Sequence, residues 1–212
     1  MNGGLLPRSF FAGTGVEVAP RLLGCVLSAS SDDGEVAVAL SEVEAYAGES
    51  DPASHAYRGP TRRNEVMYGA PGHAYVYFTY GMHFCVNLVC SPEGTATAVL
   101  LRGGAIVTGT ELARERRSVR GSPADRDLAR GPARLCQALG IDRAQNGLDV
   151  CDVASPLRIL AAAGPVGAVC TGPRVGVSSA ATVPWRFWIE GDPTVSVYRV
   201  HAPRRANHSG GR

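Results

Sequence analysis

The run from Glu35 to Tyr46 constrains this chain's fold more than any other segment. Ser31-Asp32-Asp33-Gly34 supplies turn residues just before it. A strand's period of two puts Ala37, Ala39, Ser41, Val43 and Ala45 on one face. Val36, Val38, Leu40, Glu42, Glu44 and Tyr46 fall on the other. That second face opens with large apolar residues and closes with two carboxylates and a tyrosine. A core-like face that turns polar within one strand predicts a site there rather than simple solvent.

The surroundings are also strand-rich. Ala74–Thr79 and Phe84–Cys90 read as a hairpin around Tyr80-Gly81-Met82-His83, with arms rich in Tyr, Val, Phe and Leu. In the second arm Phe84, Val86, Leu88 and Cys90 share a face, and Cys85, Asn87 and Val89 share the other. Further strands are expected at Thr97–Arg102, Leu157–Ala161, Arg186–Ile189 and Val195–Val200. Helices are expected at Thr110–Arg117, and at Pro132–Leu139, where Pro132 suits the first turn and Gly140 the end. The pattern predicts an α+β fold: a single compact domain over residues 16–201, with a curved, mostly antiparallel sheet and attached helices. Residues 1–15 and 202–212 are read as flexible ends, with no signal-peptide order in the first. The loop-rich stretch 47–72 is long enough to suggest function.

Composition narrows the classes. With 45% hydrophobic and 19% charged residues, a globular chain is the expectation. No segment approaches the roughly 18 apolar residues of a membrane span. The six cysteines form no C-x-x-C pair and read as reduced, mostly buried residues, so no metal site is expected. The net charge is only +2, but every basic residue is arginine and none is lysine. Arginines gather at Arg58, Arg62 and Arg63, and again from Arg114 to Arg134, where a phosphate-binding patch and a solvated helix face stand about even.

Several runs resemble the alkyladenine DNA glycosylase (3-methyladenine DNA glycosylase) family: SEVEAYAGESDPASHAYRG (41–59), RRNEVMYGAPGHAYVYFTYGMHFCVN (62–87), AVLLRG (98–103), GPARLCQALGI (131–141) and RVGVSSAATVPWRFWIEGDPTVS (174–196). Their order matches too, and together they span most of residues 20–200. The resemblance implies a monomer without metal or redox cofactor, acting on double-stranded DNA with damaged purines. It would work in the bacterial cytoplasm at the nucleoid, or in a nucleus.

The resemblance also assigns roles. Glu44 is the water-activating base, a carboxylate that also opposes positive charge developing on the sugar. Glu42 shares its strand face, so mutual repulsion is expected to raise one of the two pKa values. Taken on the strand pattern alone, the pair reads as ordinary exposed carboxylates. A glycosidase-style acid and nucleophile roughly 5 Å apart is a further use of them. Tyr46, His55 and Tyr77 match the stacking slot for the flipped base. Tyr80, at the hairpin tip, matches the wedge that fills the gap in the duplex. Asn87 matches the residue that excludes guanine through its 2-amino group. Arg102 matches a pocket-edge arginine expected to touch phosphate or water, and Arg58, Arg62 and Arg63 are further phosphate candidates. Asn64 is assigned loop structure only. His83 departs from the aromatic expected at its position, and the His55–Asn64 spacing is slightly short. With no lysine to form a Schiff base, the expected enzyme releases the base without cutting the strand. Two other readings share these residues: a non-catalytic binder of damaged DNA, and a hydrolase of free nucleosides.

Overall fold

A computed structural model describes residues 3–79, 81–118 and 121–200. Its spine is an eight-stranded antiparallel sheet. The strands are β1 (Val26–Ser31), β2 (Gly34–Tyr46), β3 (Ala74–Thr79), β4 (His83–Cys90), β5 (Thr97–Thr108), β6 (Leu157–Leu160), β7 (Val169–Gly172) and β8 (Arg186–Ile189). They run in the order β3-β4-β5-β2-β1-β6, and β8 pairs with both β2 and β7. Among the described residues three α-helices attach: α1 (Gly15–Val18), α2 (Thr110–Arg117) and α3 (Pro132–Leu139). Among the described residues no helix is long and apolar enough to cross a membrane. The α+β expectation holds.

β2 is central. β5 lies along one edge, and β1 then β8 share the other. Its alternation is not regular, however. Leu40 pairs with Gly104 and Glu42 with Gly103, so Ser41 is an extra residue; Arg102 is then the extra residue opposite, because Val43 pairs with Leu101. These bulges reverse the phase of the strand. Val36, Val38 and Leu40 lie in the main apolar core, and so do Val43 and Ala45. The expectation that Glu42 and Glu44 share a face with Val36, Val38 and Leu40 is therefore corrected. The core does not turn polar; the strand turns over. The backbones press closely here, since a Cβ on Gly104 would lie 2.0 Å from the Ala39 carbonyl oxygen.

The core packs on one sheet face. Val86, Leu88, Val99 and Leu101 meet Leu135, Cys136, Ala138 and Leu139 of α3, together with Val18, Leu22 and Leu23. A smaller cluster of Ala56, Met67, Tyr75, Val89, Ala96 and Ala98 lies beneath the 47–72 stretch. β2 leaves the sheet at Gly48, whose φ of +64° and approach to the Ala96 carbonyl suit only glycine.

Two end segments differ from expectation. Residues 3–15 are not loose. Leu6 donates its N–H to the Ile159 carbonyl at 2.9 Å, Phe11 is fully buried, and a capping box at Thr14 and Glu17 opens α1. Long-range apolar contact, which local composition does not reveal, anchors them. Val195–Val200 is not a strand. The carbonyls at its start accept from side chains instead: Arg130 Nε donates to Val195 O at 2.8 Å, and Arg186 Nη2 to Ser196 O at 2.7 Å.

Candidate active site

Beyond the bulge, the face of β2 opposite the core meets the matching faces of β3, β4 and β5. This places Glu44, Tyr46, Tyr75, Tyr77, Asn87 and Arg102 around one pocket of about 340 Å³. Loop residue His55 and the segment from Val175 to Ser179 complete its walls. That size suits a small planar ligand.

Glu44 is fully buried from bulk solvent and lines the pocket. One oxygen accepts the Val175 N–H at 2.7 Å and lies 3.1 Å from Arg102 Nη1. The other accepts the Tyr46 hydroxyl at 3.0 Å. The carboxylate is thus held from three directions with its charge opposed by one guanidinium.

Glu42 lies beneath the pocket rather than in its lining. Its Oε1 accepts from Arg102 Nε at 2.7 Å, Arg186 Nε at 2.8 Å and Ser196 Oγ at 2.9 Å; its Oε2 accepts the Ser196 N–H at 2.7 Å. Burial opposes its charge, yet Arg102, Arg186 and Ser196 outweigh burial and hold its carboxyl below the usual range. The expected rise from carboxylate repulsion is corrected for Glu42, because Arg102 stands between the two carboxylates. The same geometry removes the acid–nucleophile use of the pair.

Arg102 is only 5% exposed and its guanidinium is taken up by Glu42 and Glu44. It is at the pocket, as expected, but the phosphate contact is corrected: two buried carboxylates already occupy the fork. Arg58, Arg62 and Arg63 are exposed on the loop, with Arg63 5.7 Å from the Tyr77 ring centre. Arg58 and Arg62 make no ion pair among the described residues. Of the 114–134 arginines, Arg114, Arg116 and Arg117 are engaged within the fold. Arg114 pairs with Glu111 and Asp125, Arg117 donates to the Leu128 carbonyl, and Arg116 to the Ala138 carbonyl.

The aromatic wall is continuous. His55 and Tyr77 meet edge to face at 4.5 Å, Tyr75 stacks on Tyr77 at 5.5 Å, and His55 Nδ1 shares a hydrogen bond with the Tyr75 hydroxyl at 3.0 Å. Desolvation, with the Arg63 charge second, pushes the His55 imidazole down to about 4, so it is neutral at pH 7. Desolvation also raises the Tyr77 phenol. Asn64 anchors this loop: Nδ2 donates to the His55 and Gly59 carbonyls at 3.0 and 3.2 Å, and Oδ1 accepts the Thr61 N–H at 2.6 Å. Asn87 lies opposite, 5% exposed, with Nδ2 donating to the Tyr75 carbonyl at 3.2 Å. Tyr80 lies outside the described residues.

A carboxylate held in a neutral aromatic slot suits hydrolysis beside a planar leaving group, and comparison with known proteins agrees. A family described as methylpurine-DNA glycosylase (MPG) matches residues 9–193. The chain belongs to the methylpurine-DNA glycosylase family. It is 57% identical over 204 residues, covering 94% of each chain, to a Streptomyces avermitilis protein named "Putative 3-methyladenine DNA glycosylase". Proteins of the same name from Leifsonia xyli and Burkholderia lata are 55% and 47% identical, each with 92% of both chains covered. Within this family the chain is a DNA glycosylase, a hydrolase of N-glycosidic bonds.

Sequence reasoning missed part of the site. Tyr75 reads as one more strand aromatic. Val175 acts through its backbone, which no side-chain pattern reports. Asp51 and Arg174 are far apart in sequence yet form a buried ion pair. Both lie in family-like runs, 41–59 and 174–196, but neither run indicates that they pair.

Proposed function

We propose that this glycosylase is monofunctional: it flips alkylated or deaminated purines out of duplex DNA, hydrolyses the N-glycosidic bond and leaves an abasic site. The observation that carries the reading is Glu44, held by Arg102, Val175 and Tyr46 at the wall of an aromatic pocket.

The flipped base lies among Tyr46, His55 and Tyr77, whose faces favour electron-poor or cationic rings. Glu44 orients a water toward C1′. The bond from C1′ to the base nitrogen breaks with its electron pair going to the base. The water oxygen bonds C1′, and its proton passes to Glu44. The carboxylate also opposes the charge that builds on the sugar. Asn87, fixed by its bond to Tyr75 O, stands where a guanine 2-amino group would collide. Tyr80 fills the vacated stack, and Arg58, Arg62 and Arg63 grip phosphates as a single copy of the chain binds one lesion. Strand cleavage through a lysine Schiff base is not open to a sequence without lysine.

The test is base release from duplex oligonucleotides carrying hypoxanthine, ethenoadenine or a methylated purine, at low salt, with Glu44→Gln beside wild type. Release by wild type, and its loss in a variant that still binds the lesion, is the expected result. Lesion binding without release by folded wild type would replace catalysis with a damage-binding role.

A further inference from the structure

Three of the segments that wall the pocket are the end of β2, the loop carrying His55, and the segment beginning at Val175. One ion pair touches all three. Arg174 Nη1 donates to Asp51 Oδ2 at 2.5 Å and to the Ala45 carbonyl at 3.0 Å, and Nη2 donates to Asp51 Oδ1 at 2.9 Å. Asp51 also accepts the N–H of Ala47 at 3.2 Å and of Ala53 at 3.0 Å. The guanidinium lies over two rings, 4.7 Å from the Tyr46 centre and 5.2 Å from that of Trp185. The next residue, Val175, is the one whose N–H holds Glu44.

Stability alone does not account for this choice. Both side chains are 0% exposed, and a buried ion pair is often no more stable than apolar residues of equal volume. Arg174 Nε is moreover buried without a hydrogen-bond partner among the described residues, a further cost. What the planar fork supplies is direction: two parallel bonds to one carboxylate fix the plane of the guanidinium, and with it the ring packed on that plane.

We infer that Arg174, clamped by Asp51, is a positioning residue for the base slot. It sets the plane of Tyr46 and the N–H of Val175 relative to Glu44. Tyr46 is thereby held from its rear face while its hydroxyl reaches Glu44 and its front is left for the flipped base. The inference rests on the glycosylase reading above.

Arg174→Lys keeps a charge for Asp51 but loses the fork and the stacking plane. Its saturating single-turnover rate of base release should fall by about 100-fold, the effect of misplacing reacting groups by about an ångström. Its affinity for undamaged duplex should not change, and its Trp185 emission should shift, measured with Trp188→Phe as background. An uncharged pair, Asp51→Asn with Arg174→Gln, provides the second variant and should show the same loss of rate with binding kept. A role in stability alone predicts lower melting temperatures with wild-type rates at temperatures where the variants are folded, and that outcome overturns the inference. If wild type itself releases no base, the glycosylase reading fails instead.

Discussion

Replacing Glu42 by Gln tests the buried charge cluster under the pocket. Glu42 is 0% exposed and accepts hydrogen bonds on both oxygens, from Arg102, Arg186 and Ser196 Oγ on one and from the Ser196 N–H on the other. A carboxamide accepts on one atom only. Turned one way, its NH₂ group faces the Ser196 N–H; turned the other, it faces two guanidinium Nε–H groups. Either orientation sets donor against donor and leaves two buried arginines short of a negative charge. The expected cost is about 3–5 kcal/mol, the usual effect of removing one partner of a buried pair. For a chain of this size that lowers the melting midpoint by about 6–20 °C. Urea unfolding of both proteins at pH 7, followed by circular dichroism, measures it. The difference should also narrow in acid. Arg102 and Arg186 hold the folded carboxyl below its unfolded value despite burial, so its stabilisation is present above the ordinary glutamate range and is lost as pH falls through the folded value. A loss below about 1 kcal/mol at pH 7, comparable to one ordinary hydrogen bond, would refute the reasoning.

Two further measurements probe the pocket and its rim. The His55 imidazole should titrate near 4 by NMR in the free protein. Because the unfolded chain takes up that proton at higher pH, the His55 contribution to stability should decline as pH falls from about 6.5 toward 4, and a midpoint near 6.5 would contradict the packing described. Arg58→Ala and Arg62→Ala should each reduce the slope of log affinity against log salt for duplex DNA by about one, read by fluorescence anisotropy; unchanged slopes would remove these residues from the phosphate contacts.

Much of the fold was legible because it is locally encoded. β3, β8, α2 and α3 stand at the residues that alternation, Pro132 and Gly140 indicated. The faces of β4 also follow alternation: Val86 and Leu88 pack in the core, while Asn87 lines the pocket. The bulge at Ser41 was not legible within β2, which carries no Gly or Pro there; the glycines that face it, Gly103 and Gly104, lie on β5, and only the register brings them opposite. β7 was missed as well, being short and paired only with β8. The motif residues Glu44, Tyr46, His55, Tyr77, Asn87 and Arg102 do line one pocket, although spacing could not say that Arg102 would be bound between two carboxylates. Asp51 and Arg174 meet across 123 positions of sequence, and nothing local announces such a pair.

The bulge also bears on how this site can be altered. Substituting Ser41 leaves the number of residues between Leu40 and Glu44 unchanged, so every downstream side chain keeps its side of the sheet. Deleting it leaves Leu40, Glu42, Val43, Glu44 and Ala45 in strict alternation, so Val43 and Ala45 stay on the core side and Glu42 and Glu44 on the pocket side; pairing the intact strand without the bulge is what would aim both carboxylates at the core. The location of the carboxylate is therefore set by arithmetic as well as by chemistry. A library of single-residue deletions through β2 would find Ser41 the position whose removal keeps both carboxylates on their side of the sheet, at the cost of its buried hydrogen bond to Thr194.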